Sequence, residues 1–126
     1  MKELSIAFIG AGKMATAIAA GLAKNTTGLK VRAYDVSPAA AEAFTAATGF
    51  ACCTSMAETL AGAEVVLLAV KPQYAAEALK EAASHLTGKL LISIVAGWKI
   101  ATLQEHAELD RVIRVMPILL LWQGRA

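Results

Sequence analysis

The sequence has little of several things, and each scarcity excludes something. It holds two cysteines, and they are neighbours, Cys52 and Cys53. Adjacent cysteines cannot staple a fold in the usual way, so they read as free thiols in a reducing compartment, and a cytoplasmic protein is expected. The two histidines, His85 and His106, stand at no metal-ligand spacing from them. No metal site is therefore expected, and the cysteines count as small buried hydrophobes. Charge is sparse: 12 Lys+Arg against 10 Asp+Glu, 17% of the chain and a net +2. With no basic cluster, no nucleic-acid partner is expected. No apolar run is long and pure enough to span a membrane, so none is expected there either. Leu4 to Ala23 has some look of a secretory signal, but Lys13 interrupts it and Glu3 spoils its basic start. A strand, a glycine turn and a helix explain the same letters better. What the 126 residues have in plenty is apolar side chains, 57%. That excludes disorder and supplies the core of one domain.

The apolar residues fall into alternating patterns. Leu4–Ile9 is a short apolar run ending at glycine, the pattern of a buried parallel strand. Helix-favouring residues follow from Lys13 to Lys24, and Asn25-Thr26-Thr27-Gly28 stops them. A second strand runs from Leu29 to Tyr34 and ends at Asp35. Ser37-Pro38 then reads as a cap and a first helical residue, opening a helix that runs to Thr48 and ends at Gly49. Phe50–Cys53 is a short third strand, and Ser55-Met56-Ala57-Glu58 a capping box for a helix to Leu60 or Ala61. Glu64–Val70 is the clearest strand, terminated by Lys71-Pro72-Gln73. Tyr74 to Leu86 has helical spacing, Leu90–Val95 is another strand, Ile100–His106 a helix, and Arg111–Met116 the last strand. Six strands alternating with five helices predict an α/β fold of Rossmann type, doubly wound, with a mainly parallel sheet and helices on both faces.

Gly10-Ala11-Gly12-Lys13-Met14-Ala15 is a GxGxxA pattern between the first strand and its helix. Gly10 permits a tight turn, Gly12 lets backbone approach a pyrophosphate, and Ala15 keeps the helix close to the sheet. The helix N-terminus then offers free N–H groups to phosphate. Asp35 follows twenty residues after Ala15 at the end of the second strand. It is placed to accept hydrogen bonds from the adenosine ribose hydroxyls of a dinucleotide. Its charge would repel a 2′-phosphate, and Val36-Ser37-Pro38 offers no basic residue to offset that, so the chemistry leans toward NADH over NADPH. Ser37 has two readings, a helix cap and a donor to phosphate. Lys71 and Pro72 lie at the exit of the fourth strand, where an open α/β sheet binds its ligands, and Ala96-Gly97 at the exit of the fifth. Nothing makes a nucleophilic triad or a carboxylate pair, so no catalytic residue is assigned in this chain. His85 and His106 read as surface residues, and the positions of Trp98 and Trp122 do not decide their roles.

Taken in order, Ile9–Ala15, Ala69-Val70-Lys71-Pro72-Gln73, Ser93–Gly97 and Arg114-Val115-Met116-Pro117 resemble the N-terminal half of pyrroline-5-carboxylate reductase. The resemblance implies reduction of 1-pyrroline-5-carboxylate to proline with NADPH or NADH, the last step of proline biosynthesis. It places Gly10, Ala11, Gly12, Lys13 and Met14 at the pyrophosphate and Asp35 and Ser37 at the adenosine ribose. Ala69, Val70, Lys71, Pro72, Ala96 and Gly97 fall on the nicotinamide side. Lys13 stands where the family usually has Asn, Val95 replaces a small residue, and Trp98 enlarges the turn after Gly97.

The family continues past Met-Pro with Asn-Thr-Pro, a glycine-rich stretch and an all-helical domain that builds the dimer and the substrate site. Here residues 1–117 read as the dinucleotide-binding domain, followed by the apolar tail Ile118–Ala126. One base dropped from a coding sequence for Asn-Thr-Pro-Ala-Leu-Ala-Gly-Ala-Gly yields all nine tail residues. A reading-frame shift after Pro117 is therefore the expectation, with the helical domain absent and the isolated chain nearly inactive as a reductase. A strand extension or packed tail is the other reading of those residues. An apolar tail either buries against the domain or joins a sheet edge in self-association. A truncated non-catalytic dinucleotide-binding module, and half of a related imine or keto reductase, stay as alternatives.

Overall fold

The computed structural model describes residues 4–115. Its strands are β1 (Leu4–Ile9), β2 (Leu29–Tyr34), β3 (Ala51–Cys52), β4 (Val65–Leu68), β5 (Leu90–Ser93) and β6 (Val112–Arg114). They form one sheet in the order β3-β2-β1-β4-β5-β6, with every pairing parallel. The helices are α1 (Lys13–Asn25), α2 (Pro38–Thr48), α3 (Met56–Leu60), α4 (Pro72–Ala82) and α5 (Ile100–Ala107). The alternation read from the sequence is thus the architecture observed.

Two apolar clusters sandwich the sheet. On one face Phe8, Val31 and Ala33 meet Ala15 and Ala19 of α1 and Phe44 of α2. Alanine at those α1 positions lets the helix lie close against the strands. The rings of Phe8 and Phe44 stand 5.9 Å apart at a tilt of 56°. On the other face Ile9, Val66, Leu68 and Leu91 pack under Leu60, Leu79 and Leu103 of α3, α4 and α5. Strands covered on both faces are why β1 and β4 read as unbroken apolar runs rather than alternating ones.

The boundaries differ from expectation because hydropathy does not mark where strand pairing ends. The fourth strand stops at Leu68 and the fifth at Ser93, each earlier than its apolar run. The third shrinks to two residues, without Phe50 and Cys53. Helix α4 starts at Pro72, not Tyr74, because proline is suited to the first helical position, where its missing N–H is not needed. It ends at Ala82, and Ala83–His85 tightens into a 3-10 turn. The last strand covers Val112–Arg114. Met116, Pro117 and the tail lie outside the described residues.

Ser37 and Ser55 cap their helices as the sequence implies. Ser37 Oγ accepts the Ala40 N–H at 3.3 Å and Ser55 Oγ the Glu58 N–H at 3.1 Å. The Glu58 carboxylate reaches one residue further back than a standard box and takes the Thr54 N–H at 3.4 Å.

Candidate dinucleotide site at the strand carboxyl ends

The register brings Ile9, Tyr34, Leu68, Ser93 and Arg114 into one row across the sheet. The residues that follow, Gly10, Asp35, Ala69, Ile94 and Val115, form the rim of its carboxyl edge. From β1 the chain moves outward through β2 and β3, then returns to β4 on the opposite side of β1. That reversal leaves a crevice between the exits of β1 and β4, the place where open α/β sheets bind ligands.

Gly10 closes one wall of this crevice. It has φ +102° and its N–H donates to Tyr34 O at 2.8 Å. A Cβ added there would stand 2.8 Å from the Ala69 carbonyl oxygen and 2.9 Å from its carbon. The glycine loop and the β4 exit are therefore in direct contact. Gly12 is different: it caps α1 at φ −78°, and a Cβ on it would meet nothing within 4 Å. No side chain caps α1, so its first N–H groups are left facing that open space. Ala11 is buried, Met14 half-buried and Lys13 exposed. Open space over Gly12, beside uncapped amides, fits a pyrophosphate.

Asp35 has a second task that the sequence reading missed. Its Oδ2 accepts the Ala11 N–H at 2.8 Å, and its Oδ1 the Ser37 N–H at 2.8 Å. The carboxylate thus braces the glycine loop against the β2–α2 turn. Of Ser37's two expected roles, the structure displays the cap. The signal for the brace was an acidic residue at a strand end beside a glycine loop, which the sequence reading assigned wholly to the ribose.

On the other side of the crevice, Lys71 is the exposed N-cap of α4, and its side chain makes no capping bond. Ala69 and Val70 are half-buried. The turn after β5 is held from below by buried Ser93, whose Oγ accepts the Val95 N–H at 3.1 Å. Ala96 and Gly97 ride above it, exposed, with Gly97 at φ +81° and open space where a Cβ would be. All the predicted binding residues therefore lie along one edge: Asp35 and Ser37 beyond β2, Gly10 to Met14 at the centre, Ala69 to Pro72 and Ala96-Gly97 beyond β4 and β5.

His106 is half-buried, contrary to its reading as a surface residue. Its Nδ1 lies 2.9 Å from Thr102 O, and its ring meets that of Trp98 edge-to-face, centroids 5.0 Å apart. Cys52 packs under α2 with its Sγ 3.5 Å from Ala41 O. Burial pushes its thiol pKa up, with the charges of Cys53 and Asp35 acting in the same direction and a hydrogen bond from Thr45 against it. Among the described residues, no three His, Cys, Asp or Glu side chains gather as a metal site, and no helix is long and apolar enough to cross a membrane. Two hollows lie away from the crevice. One, of about 330 Å³, is at the amino edge beside Glu64, Lys89 and Arg111, and the other, of about 470 Å³, lies beside Cys52 and Thr45. The chemistry the crevice offers comes from backbone geometry, the glycine loop and the uncapped N–H groups of α1.

Comparison with known proteins agrees with this geometry. Residues 5–97 match the family model described as NADP oxidoreductase coenzyme F420-dependent. The chain is 35% identical over 116 residues to a pyrroline-5-carboxylate reductase of Pisum sativum, covering 90% of this chain and 42% of that protein. It is 39% identical over 122 residues to that of Pseudomonas aeruginosa, covering 93% and 44%. The chain thus spans less than half the length of these relatives. The Plasmodium falciparum pyrroline carboxylate reductase, solved with NADP bound, is 26% identical and superposes with a TM-score of 0.73 over 92% of this chain and 43% of that one. A prephenate dehydrogenase from A. aeolicus, solved with NAD+ and hydroxyphenyl propionate, shares the fold at a TM-score of 0.80 and 18% identity, over 94% of this chain and 43% of that one. By the match over most of its length, the chain belongs to the NADP oxidoreductase coenzyme F420-dependent family.

Proposed function

We propose that this chain is the dinucleotide-binding part of a pyrroline-5-carboxylate reductase, and that it favours NADH. The observation that carries the reading is the junction of two sequence phrases. The glycine loop is seated on the Ala69 carbonyl, so that Gly10–Met14 and Ala69–Pro72 form two walls of one crevice. Four such phrases in family order, and the identity to reductases named above, support the substrate assignment. The unit is drawn as residues 1–117, its far boundary beyond the described residues.

In this reading the α1 amides hold the pyrophosphate and Asp35 faces the adenosine ribose. Ala69–Pro72 and Ala96-Gly97 bracket the nicotinamide. A bound nicotinamide dinucleotide would supply the hydride that reduces the imine of 1-pyrroline-5-carboxylate. The protein's part is to hold the two reactants in line and exclude water. The preference for NADH rests on Asp35. Its carboxylate is fixed by two backbone N–H groups, and a 2′-phosphate would have to approach that fixed negative charge.

The test is a fluorescence titration of the purified chain with NADH and with NADPH, followed by an assay of proline formation. Binding of NADH tighter than NADPH is expected, with little or no turnover until the residues that hold the substrate carboxylate are supplied as a separate helical domain. Binding of neither dinucleotide would overturn the cofactor reading. Turnover by the chain alone at the rate of a complete reductase would overturn the division of labour.

A further inference from the structure

We infer that Trp98 and His106 form an aromatic latch that fixes the β5–α5 turn, making them positioning residues for the nicotinamide end of a bound dinucleotide. The inference rests on the cofactor reading above and adds to it a specific device.

The turn needs such a device. Between Ser93, where β5 ends, and Ile100, where α5 begins, lie six residues. Val95 is buried and anchors the near end. Ala96 and Gly97 are exposed, and Gly97 sits at φ +81°, a conformation with no side chain to hold it. Lys99, the N-cap of α5, makes no side-chain capping bond, so the usual anchor of a helix entrance is missing. What remains is Trp98. Its ring is half-buried, turned back onto the cluster that contains Val95 and Leu103, and closed from the side by His106. The two rings are 5.0 Å apart at 67°, within the range and tilt that favour edge-to-face attraction.

His106 is itself fixed. Its Nδ1 lies 2.9 Å from Thr102 O, one turn back on the same helix, which is the geometry of an N–H donated to that carbonyl. The imidazole is thus referenced to the last turn of α5, and the indole to the imidazole. The effect is to tie the first residue after Gly97 to the far end of the following helix. Ala96-Gly97 then stands at a set height above β5. With Asp35 on the β2 side of the crevice, a dinucleotide crossing it ends over β4 and β5, so this turn borders the nicotinamide and not the adenine. A turn free to sample other positions would lower apparent affinity by the fraction of molecules that hold the right one.

The test compares two ligands on the full chain. NADH has the nicotinamide; ADP-ribose has the adenosine and pyrophosphate without it. His106→Ala removes the latch, and His106→Phe restores an aromatic edge without restoring the bond to Thr102. His106→Ala is expected to weaken NADH binding by about three- to tenfold, the worth of one aromatic pair. It should leave ADP-ribose binding unchanged, and His106→Phe should recover most of the NADH affinity. Retained ADP-ribose binding also reports that the variant is folded. In a Trp122→Phe background, where Trp98 is the one tryptophan of the chain, His106→Ala should shift the indole emission and His106→Phe should not. Equal losses for both ligands, no loss at all, or a loss that His106→Phe does not recover would overturn the latch and leave the cofactor reading standing. A wild-type chain that binds neither ligand would overturn the cofactor reading itself.

Discussion

Two glycines two residues apart are expected to fail in opposite ways when each is replaced by alanine. At Gly10 the backbone has φ +102°, and the new Cβ would lie 2.8 and 2.9 Å from the oxygen and carbon of the Ala69 carbonyl and 3.1 Å from Val70 Cγ1. The nearest two are backbone atoms of a central strand exit and cannot rotate aside. Strain in the positive-φ region and overpacking together predict a loss of about 2–5 kcal/mol. For a domain of this size that lowers the melting temperature by about 10–20 °C. At Gly12 the backbone has φ −78° and ψ −165°, which alanine adopts freely, and the new methyl meets nothing within 4 Å. Gly12→Ala should leave stability unchanged or raise it by up to about 1 kcal/mol, because the unfolded chain loses freedom. The methyl would project into the space assigned to the pyrophosphate, so NADH affinity should fall about tenfold or more. Thermal melts and NADH titrations of both variants decide the matter. Gly10→Ala melting with the wild type would refute the packing argument. Gly12→Ala binding NADH as the wild type does would refute the placement of the pyrophosphate.

Other expectations follow from single contacts. Asp35→Ala orphans the N–H groups of buried Ala11 and exposed Ser37, and should cost about 1–3 kcal/mol, most of it at Ala11. The same variant should raise the ratio of NADPH to NADH affinity about tenfold or more, and an unchanged ratio in paired titrations would count against the assigned ribose side. Ser55→Ala removes the cap of the five-residue α3 and should cost about 1 kcal/mol by urea denaturation, with no effect on NADH affinity. Burial raises the Cys52 thiol, so in a Cys53→Ser variant its alkylation by iodoacetamide near pH 8 (about half a unit below an ordinary thiol pKa) should be slower than that of a small thiol. The folded state holds that proton more tightly than the unfolded chain. The resulting stability is therefore present at neutral pH and lost as pH rises through the raised value, which an alkaline denaturation series of Cys52→Ala against wild type would display.

The sequence was most legible where one physical requirement dominates. The glycine turn, the Ser55 cap and the unbroken apolar runs each have a single structural solution and stand where the sequence puts them, whereas Ser37 had two readings. Boundaries were less legible, because an apolar residue beyond a strand end looks the same as one within it. Val70 and Val95 are apolar, yet the strands end at Leu68 and Ser93, with only the N–H of the next residue, Ala69 and Ile94, still bonded to the neighbouring strand. Pro72 was read as an end to the strand when it was also the start of α4, since proline serves both purposes equally well. The site was legible as a set of positions along one edge. It was not legible as contacts: the grip of Asp35 on Ala11 spans 24 residues, and the meeting of Trp98 with His106 depends on the side to which α5 turns its face. Neither leaves a periodic trace in the letters.

The helix entrances divide in a way that bears on the protein's lifetime. Helices α2 and α3, at the β2 and β3 end of the sheet, carry serine side-chain caps, whereas α1, α4 and α5, which open along the rest of the rim, carry none. A missing cap forgoes about 1 kcal/mol of folding stability at Lys71 and Lys99, and only a few tenths at Gly12, where glycine is itself a fair N-cap. The chain is therefore least secured where its ligand is expected to sit. A ligand at one hundred times its Kd would return about 2.7 kcal/mol to the folded state. Occupancy and resistance to proteolysis should then rise together, and a protease digestion series with and without NADH would read cofactor supply as protein half-life.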